Sequence, residues 1–215
     1  MLPNMIVPTL LRYDLLQGMV ESIDFPVQHL LIIDNGGELK DLVVPDIVEQ
    51  VTIFTMPNPQ GVATSWNLGI KCFPHDPYWL IVSDDVTFHP GTLKLLHEVS
   101  GPESFVQPDE WPFFQFFTIG EDWVTTVGLF DEGFHPANFE DDEYQWRAGQ
   151  HMMAMTRIGL PHDHVKQGTV FAAGNALKNA RTYPENESWF ETKKAVGDLS
   201  DGGWFLSRRR RLSWD

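Results

Sequence analysis

A single cysteine, Cys72, is all that the 215 residues contain. One thiol cannot close an intrachain disulfide, so the fold must rest on its core, and such a chain suits a reducing compartment. Basic side chains are scarce as well: 15 Lys and Arg stand against 30 Asp and Glu, a net charge of −15. Four of the fifteen are the consecutive Arg208–Arg211, so residues 1–207 hold eleven basic and twenty-nine acidic side chains, a charge of −18. A body that acidic repels phosphate backbones at long range, which disfavours nucleic acid as a partner without excluding it. Small phosphorylated ligands stay open, because a divalent cation reverses the local sign. No run of about 18 apolar residues occurs, so no transmembrane helix is expected. Met1–Ile6 lacks a basic segment and a long apolar one, so no signal peptide is read there and a cytoplasmic location is expected. The disorder signature is missing too, with eight Trp, fifteen Phe and 42% hydrophobic residues. That length suits one globular domain, or one domain with a tail.

What is present alternates short apolar runs with helix-length periodic segments. Met5–Pro8 reads as a strand, and in Arg12–Ile23 the residues Leu15, Leu16, Met19, Val20 and Ile23 fall at helical spacing. His29–Asp34 is a buried strand ending at Asn35-Gly36-Gly37, Val51–Thr55 a third strand, Gly61–Cys72 a helix, Tyr78–Val82 a fourth strand and Gly91–Val99 a helix. Strands joined by crossover helices predict an α/β fold with a mostly parallel central sheet and flanking helices. Phe113–Ile119 and Trp123–Val127 read as a small antiparallel pair. A helix follows, with Asn138 as N-cap, Glu140–Glu143 in its first turn, Glu143 and Arg147 at i,i+4 and Gly149 as its stop. Residues 176–215 read as a loosely structured C-terminal extension with one or two short helices and a basic tail, beyond a main domain of residues 1–175.

Ligands of parallel sheets bind beyond the carboxyl ends of the strands. Polar groups stand at three such ends: Thr9, Asp34-Asn35 and Ser83-Asp84-Asp85. Adjacent carboxylates after an apolar strand can hold a hard divalent cation, although Asp after a strand is also an ordinary turn residue. Asp34 can accept hydrogen bonds from a base or ribose, or simply close an Asp-Asn-Gly-Gly turn. The acidic run at 140–143 suits a helix N-terminus and exceeds what capping needs. His162 and His164 share one side of an extended segment. Arg147 reads as a structural partner of Glu143, and Asn67 as ordering its helix against a neighbouring loop. The aromatic run from Trp111 to Trp123 is mostly core, with Trp111 or Trp123 able to line a ligand groove.

The ordered set of these pieces resembles the family 2 glycosyltransferases of the GT-A fold. Ile6-Val7-Pro8-Thr9 with Arg12 is similar to that family's opening strand and helix, and Leu31–Gly37 to its second-strand motif. Gly61-Val62-Ala63 with Trp66–Ile70 is similar to the helix before the metal site. Trp79–Val86 with Pro90-Gly91 resembles the strand carrying the DxD motif, and Gly128–Glu132 with Phe139–Glu143 and Arg147 the acceptor-side segment. The likeness spans about residues 5–170, with one departure: Ser83 stands where the first Asp of the triplet would be.

The resemblance implies a hexosyltransferase that moves a sugar from a nucleoside-diphosphate donor, UDP being the commonest, to a hydroxyl on a glycan, a protein or another acceptor. It implies direct displacement with inversion, Mn²⁺ or Mg²⁺ as cofactor, Asp141 as general base and Glu140 as the fallback. Pro8, Thr9, Arg12, Asp34, Asn67 and Asp84 would bind the nucleotide sugar, and Asp85 and His164 the metal. Two alternatives stay open: a catalytically inactive GT-A domain that binds nucleotide or glycan, and a sugar-phosphate nucleotidyltransferase. The latter wants a Gly-rich basic loop near the N-terminus, where Pro8–Asp14 offers only Arg12.

Overall fold

The computed structural model describes residues 1–165 and 175–201. Strands β1 (Met5–Thr9), β2 (Val27–Asp34), β3 (Val48–Thr55) and β4 (Tyr78–Val82) alternate with helices α1 (Tyr13–Glu21) and α2 (Val62–Cys72). Then come β5 (Val86–Phe88), α3 (Thr92–Val99), β6 (Phe105–Pro108), β7 (Phe116–Gly120), α4 (Glu121–Val127), α5 (Glu140–Gln150), β8 (Thr156–Ile158), β9 (His162–His164) and α6 (Asn175–Val196). Seven strands form one sheet in the order β3-β2-β1-β4-β7-β6-β8, and β5 pairs with β9 in a separate ribbon. β1 to β4 run parallel, whereas β7 is antiparallel to both of its neighbours.

The alternation of side chains across the sheet explains the continuous apolar runs. Leu30 and Ile32 of β2 enter one core, with Met5, Val7, Leu80 and Val82. Leu31 and Ile33 enter the core on the other side, with Ile6, Trp79 and Ile81. A strand buried on both faces needs no polar residue between its apolar ones. Helix α2 lies tightly on β1, because a Cβ on Gly69 would stand 2.3 Å from Ile6 Cγ2. Gly69→Ala is therefore expected to cost about 1–3 kcal/mol through overpacking, read as a lower denaturant midpoint with an unchanged slope.

Several sequence expectations need correction. Trp123–Val127 is not a strand but most of α4, and β7 pairs with β4 and β6 instead. The β-branched run is overruled because a helix puts Trp123 and Val127, four residues apart, into the core together. Helix α5 does not start from an Asn138 cap. Asn138 and Phe139 both take positive φ (79° and 73°), Phe139 is the capping residue, and no side chain caps it. The helix also runs one residue past Gly149, to Gln150. The expected loose stretch after 176 holds instead the 22-residue helix α6. The Arg208–Arg211 run lies outside the described residues. No helix among the described residues is long and apolar enough to cross a membrane.

Candidate functional site

The sheet order reverses between β1 and β4: the chain moves outward from β1 to β3, then returns to the other side of β1. In parallel sheets such a switch point opens a crevice at the carboxyl ends of the strands. Here those ends carry Thr9 and Ser83-Asp84-Asp85, and the two strands meet through them. Thr9 Oγ1 donates a 2.6 Å hydrogen bond to Asp84 Oδ2. Asp85, the next residue, has its Oδ1 3.2 Å from His164 Nε2. The pairing of β5 with β9 sets that contact, since Val86 lies opposite His164 and the Val165 amide donates to the Asp85 carbonyl. His162 stays out of it, its ring nitrogens engaging the Leu160 carbonyl and Gln115 Oε1. Thr9 with Asp84, and Asp85 with His164, thus form two adjacent pairs at this edge of the sheet, all four residues buried or nearly so.

These residues fit a divalent ion. A carboxylate oxygen and an imidazole nitrogen lie side by side, and the other ring nitrogen of His164 is buried with no hydrogen-bond partner among the described residues. Among the described residues no third metal-ligating side chain joins them. Two protein ligands suffice for an ion that takes its remaining oxygens from phosphate and water, as Mg²⁺ commonly does.

Beside this pair, the loops after β1, β2 and β3 enclose a cleft of about 450 Å³, lined by Leu10, Leu11, the Asn35–Glu38 loop and Thr55–Pro59. Asp34 lies beneath the loop that forms one wall of it. Its carboxylate is fully buried and accepts from the Tyr13 hydroxyl at 2.8 Å and from the amides of Gly36, Gly37 and Leu39, each at 3.0 Å. Asp34 therefore shapes the loop, with four protein donors already on its two oxygens. Burial and the bond to Asp34 push the Tyr13 phenol up to about 12. Tyr13 carries no motif, and nothing in the sequence singles it out. Pro8 is simply a strand residue opposite Ile33. Arg12 is held by Asp14 in a two-pronged ion pair, within the electrostatic reach of Asp84 and Asp85.

Asn67 does not face the crevice with free groups. Its amide donates to the Phe130 carbonyl and Glu132 Oε1, and its oxygen accepts from the Phe130 amide. It thereby docks the loop ahead of α5 onto α2, helped by a bond from the Val62 amide to the Pro136 carbonyl. Because α2 starts at the crevice end of the sheet, this docking brings the start of α5 to the same end.

Glu140 and Asp141 open α5 in contrasting surroundings. Glu140 is buried with Oε2 unpartnered among the described residues, and burial, then the Asp141 charge, holds its carboxyl well above the usual carboxylate range. Asp141 keeps a solvent-facing edge. Burial, then the neighbouring Asp142, pushes it up to about 6, against the pull of two helix-start amides. Behind them lies a buried ionic cluster. Arg147 grips both oxygens of Glu143 at 2.8 and 2.9 Å, as the i,i+4 spacing implied, and donates to the carbonyls of Val127 and Leu129. Lys193 of α6 joins it, bonded to Glu143 and, at 2.8 Å, to Asp131. Trp123 is core, whereas Trp111 stands 70% exposed. It sits on the β6–β7 loop, which antiparallel pairing carries to the carboxyl end of β4: the Ser83 amide donates to the Gln115 carbonyl there.

The architecture just described is the GT-A fold. The chain is similar to Drosophila beta1,4-galactosyltransferase 7, crystallised with manganese, UDP-Gal and xylobiose, at TM-score 0.53 and 13% identity over 75% of this chain and 69% of that one. It is also similar to Staphylococcus aureus TarS, at TM-score 0.55 and 12% identity, spanning 99% of this chain and 45% of that one. The 1–349 form of TarS gives TM-score 0.52 over 78% of its length. No protein-family model matches the sequence, and no curated protein sequence matches it.

Proposed function

We propose that the protein is a glycosyltransferase that moves a sugar from a nucleoside-diphosphate donor, UDP foremost, to an acceptor hydroxyl with inversion at the anomeric carbon. One observation carries this reading: the Thr9–Asp84 and Asp85–His164 contacts meet at the β1/β4 switch point, beside a cleft of nucleoside size. The cleft takes the base, with Asp34 fixing the loop that forms its wall, and Asp84 and Thr9 border the ribose and diphosphate. Asp85 and His164 are the residues that would hold Mn²⁺ or Mg²⁺. Such an ion, when bound, offsets the charge of the departing diphosphate as a Lewis acid.

Asp141 takes the proton from the acceptor hydroxyl as that oxygen attacks. A base titrating near 6 is mostly ionised at neutral pH yet still basic enough to accept the proton. Glu140, sealed and holding its own proton tightly, suits that role less well. Trp111 offers an apolar face at the crevice rim on which an acceptor sugar can rest. The Drosophila neighbour's UDP-Gal and manganese support the choice of donor and ion.

The test is thermal unfolding against UDP, GDP, dTDP and CMP, each with and without Mn²⁺. A nucleotide at a hundredfold excess over its Kd is expected to add about 2.7 kcal/mol, visible as a rise in Tm. Stabilisation by UDP that needs Mn²⁺ supports the reading. No shift with any nucleotide overturns it.

A further inference from the structure

Helix α6 reaches the catalytic segment through one side chain in particular. Asn186 is completely buried, and its amide donates to the Ala137 carbonyl at 2.9 Å and to the Asn138 carbonyl at 3.3 Å. Those carbonyls frame a pair of residues, Asn138 and Phe139, that both sit in the left-handed region. Two consecutive non-glycine residues there are strained, and such a conformation persists only where the surroundings enforce it. The turn they make launches α5: the Glu143 amide bonds back to the Phe139 carbonyl at 2.9 Å, closing the first helical turn around Glu140 and Asp141. Two other α6 residues hold the same loop further upstream, where Trp189 and Lys193 both donate to Asp131 Oδ2.

We infer that Asn186 is a positioning residue for sugar transfer, holding the left-handed Asn138–Phe139 turn so that Asp141 is aimed into the crevice. The role rests on the glycosyltransferase reading. Asn186 touches neither donor nor acceptor; it acts through the backbone of residues 137 and 138. Loss of its amide frees the turn to relax toward the right-handed region, and α5 then starts at a different angle or a residue later.

The experiment compares wild type, N186A and N186A/N138G. Glycine at 138 adopts positive φ without steric cost, so the double variant restores the turn with no help from Asn186. Two readouts are taken: hydrogen exchange of the Glu143 amide, with β4 amides as reference, and steady-state UDP release from UDP-galactose with xylobiose as acceptor. In N186A the Glu143 amide is expected to exchange at least tenfold faster while β4 is unchanged. The kcat is expected to fall at least tenfold with KM for UDP-galactose within twofold. N186A/N138G is expected to regain most of both losses. Unchanged Glu143 exchange in N186A overturns the proposal. So does a uniform acceleration that includes β4 and is not reversed by N138G, because that describes a residue of general stability. If the wild type releases no UDP, galactose or xylobiose is the wrong sugar or acceptor, the nucleotide reading still rests on its own Tm test, and the exchange pattern with its N138G rescue decides whether Asn186 holds the turn.

Discussion

Asp141→Asn is expected to lower kcat by about 10²- to 10⁴-fold, the range that a positioned general base contributes, while UDP still raises the Tm as it does for the wild type. Asparagine keeps the shape and the polar contacts at the helix start but cannot take a proton. The wild-type profile supplies a second signature. With its pKa near 6, Asp141 is protonated and inactive well below that pH, so kcat/KM rises with pH up to about 6 and then levels. The limb vanishes in the asparagine variant. Stability runs the other way. Folding raises this carboxyl from 3.8, so between those two values the native state holds a proton that the unfolded chain has released. The contribution of Asp141 to stability therefore falls as pH rises through that window. An unchanged kcat in D141N would remove Asp141 from the chemistry, and retained nucleotide binding without any transfer in the wild type would favour a binding module.

The second large effect lies behind the site. Lys193→Ala is expected to destabilise the protein by about 3–5 kcal/mol, the usual result of removing one partner from a buried ion pair. Lys193, Asp131, Glu143 and Arg147 are all essentially inaccessible to water. Without the ammonium, two carboxylates face one guanidinium in a region of low dielectric, and Asp131 loses its only charged partner among the described residues. Denaturant unfolding measures the loss. Adding Asp131→Asn to the variant is expected to recover part of it by removing the stranded charge, and a cost below about 1 kcal/mol, as for an exposed pair, would show that water reaches the cluster.

Much of this was legible in the residues themselves. The apolar runs 29–34 and 78–82 admit only strands buried on both faces, and the crossover helices between strands fix a parallel arrangement. Parallel strands open a crevice beyond their carboxyl ends, so Thr9, Asp84 and Asp85 could be placed at one edge of the sheet although the first two stand 75 positions apart. His164 was harder, because its partner depends on the β5–β9 pairing, in which each strand is only three residues long. What stayed hidden had no periodic signal. Trp123–Val127 has strand-like composition and becomes a helix for the sake of two buried side chains. The left-handed pair at 138 and 139 was hidden in another way: Asn tolerates that conformation, but Phe139 gives no signal for it, and the α6 residue bonded to the carbonyls of Ala137 and Asn138 comes from far along the chain. Lys193 and Asn186 look like ordinary surface residues of a polar helix, and their burial follows only from what the helix lies against.

The cluster around Glu143 also sets an order of events during synthesis. A growing chain folds from its N-terminal side as it emerges, so β1 to β4, with their internal contacts, can assemble while α6 is still being made. Glu143 has Arg147 four residues away, but Asp131 awaits the ammonium of Lys193, 62 residues downstream. Until position 193 has emerged, the Asp131 carboxylate is better solvated outside the core than within it, and its segment is expected to stay open. If the protein is the glycosyltransferase proposed above, nucleotide binding is expected to precede transfer, and chains truncated before α6 are expected to differ from the full chain in the second property far more than in the first.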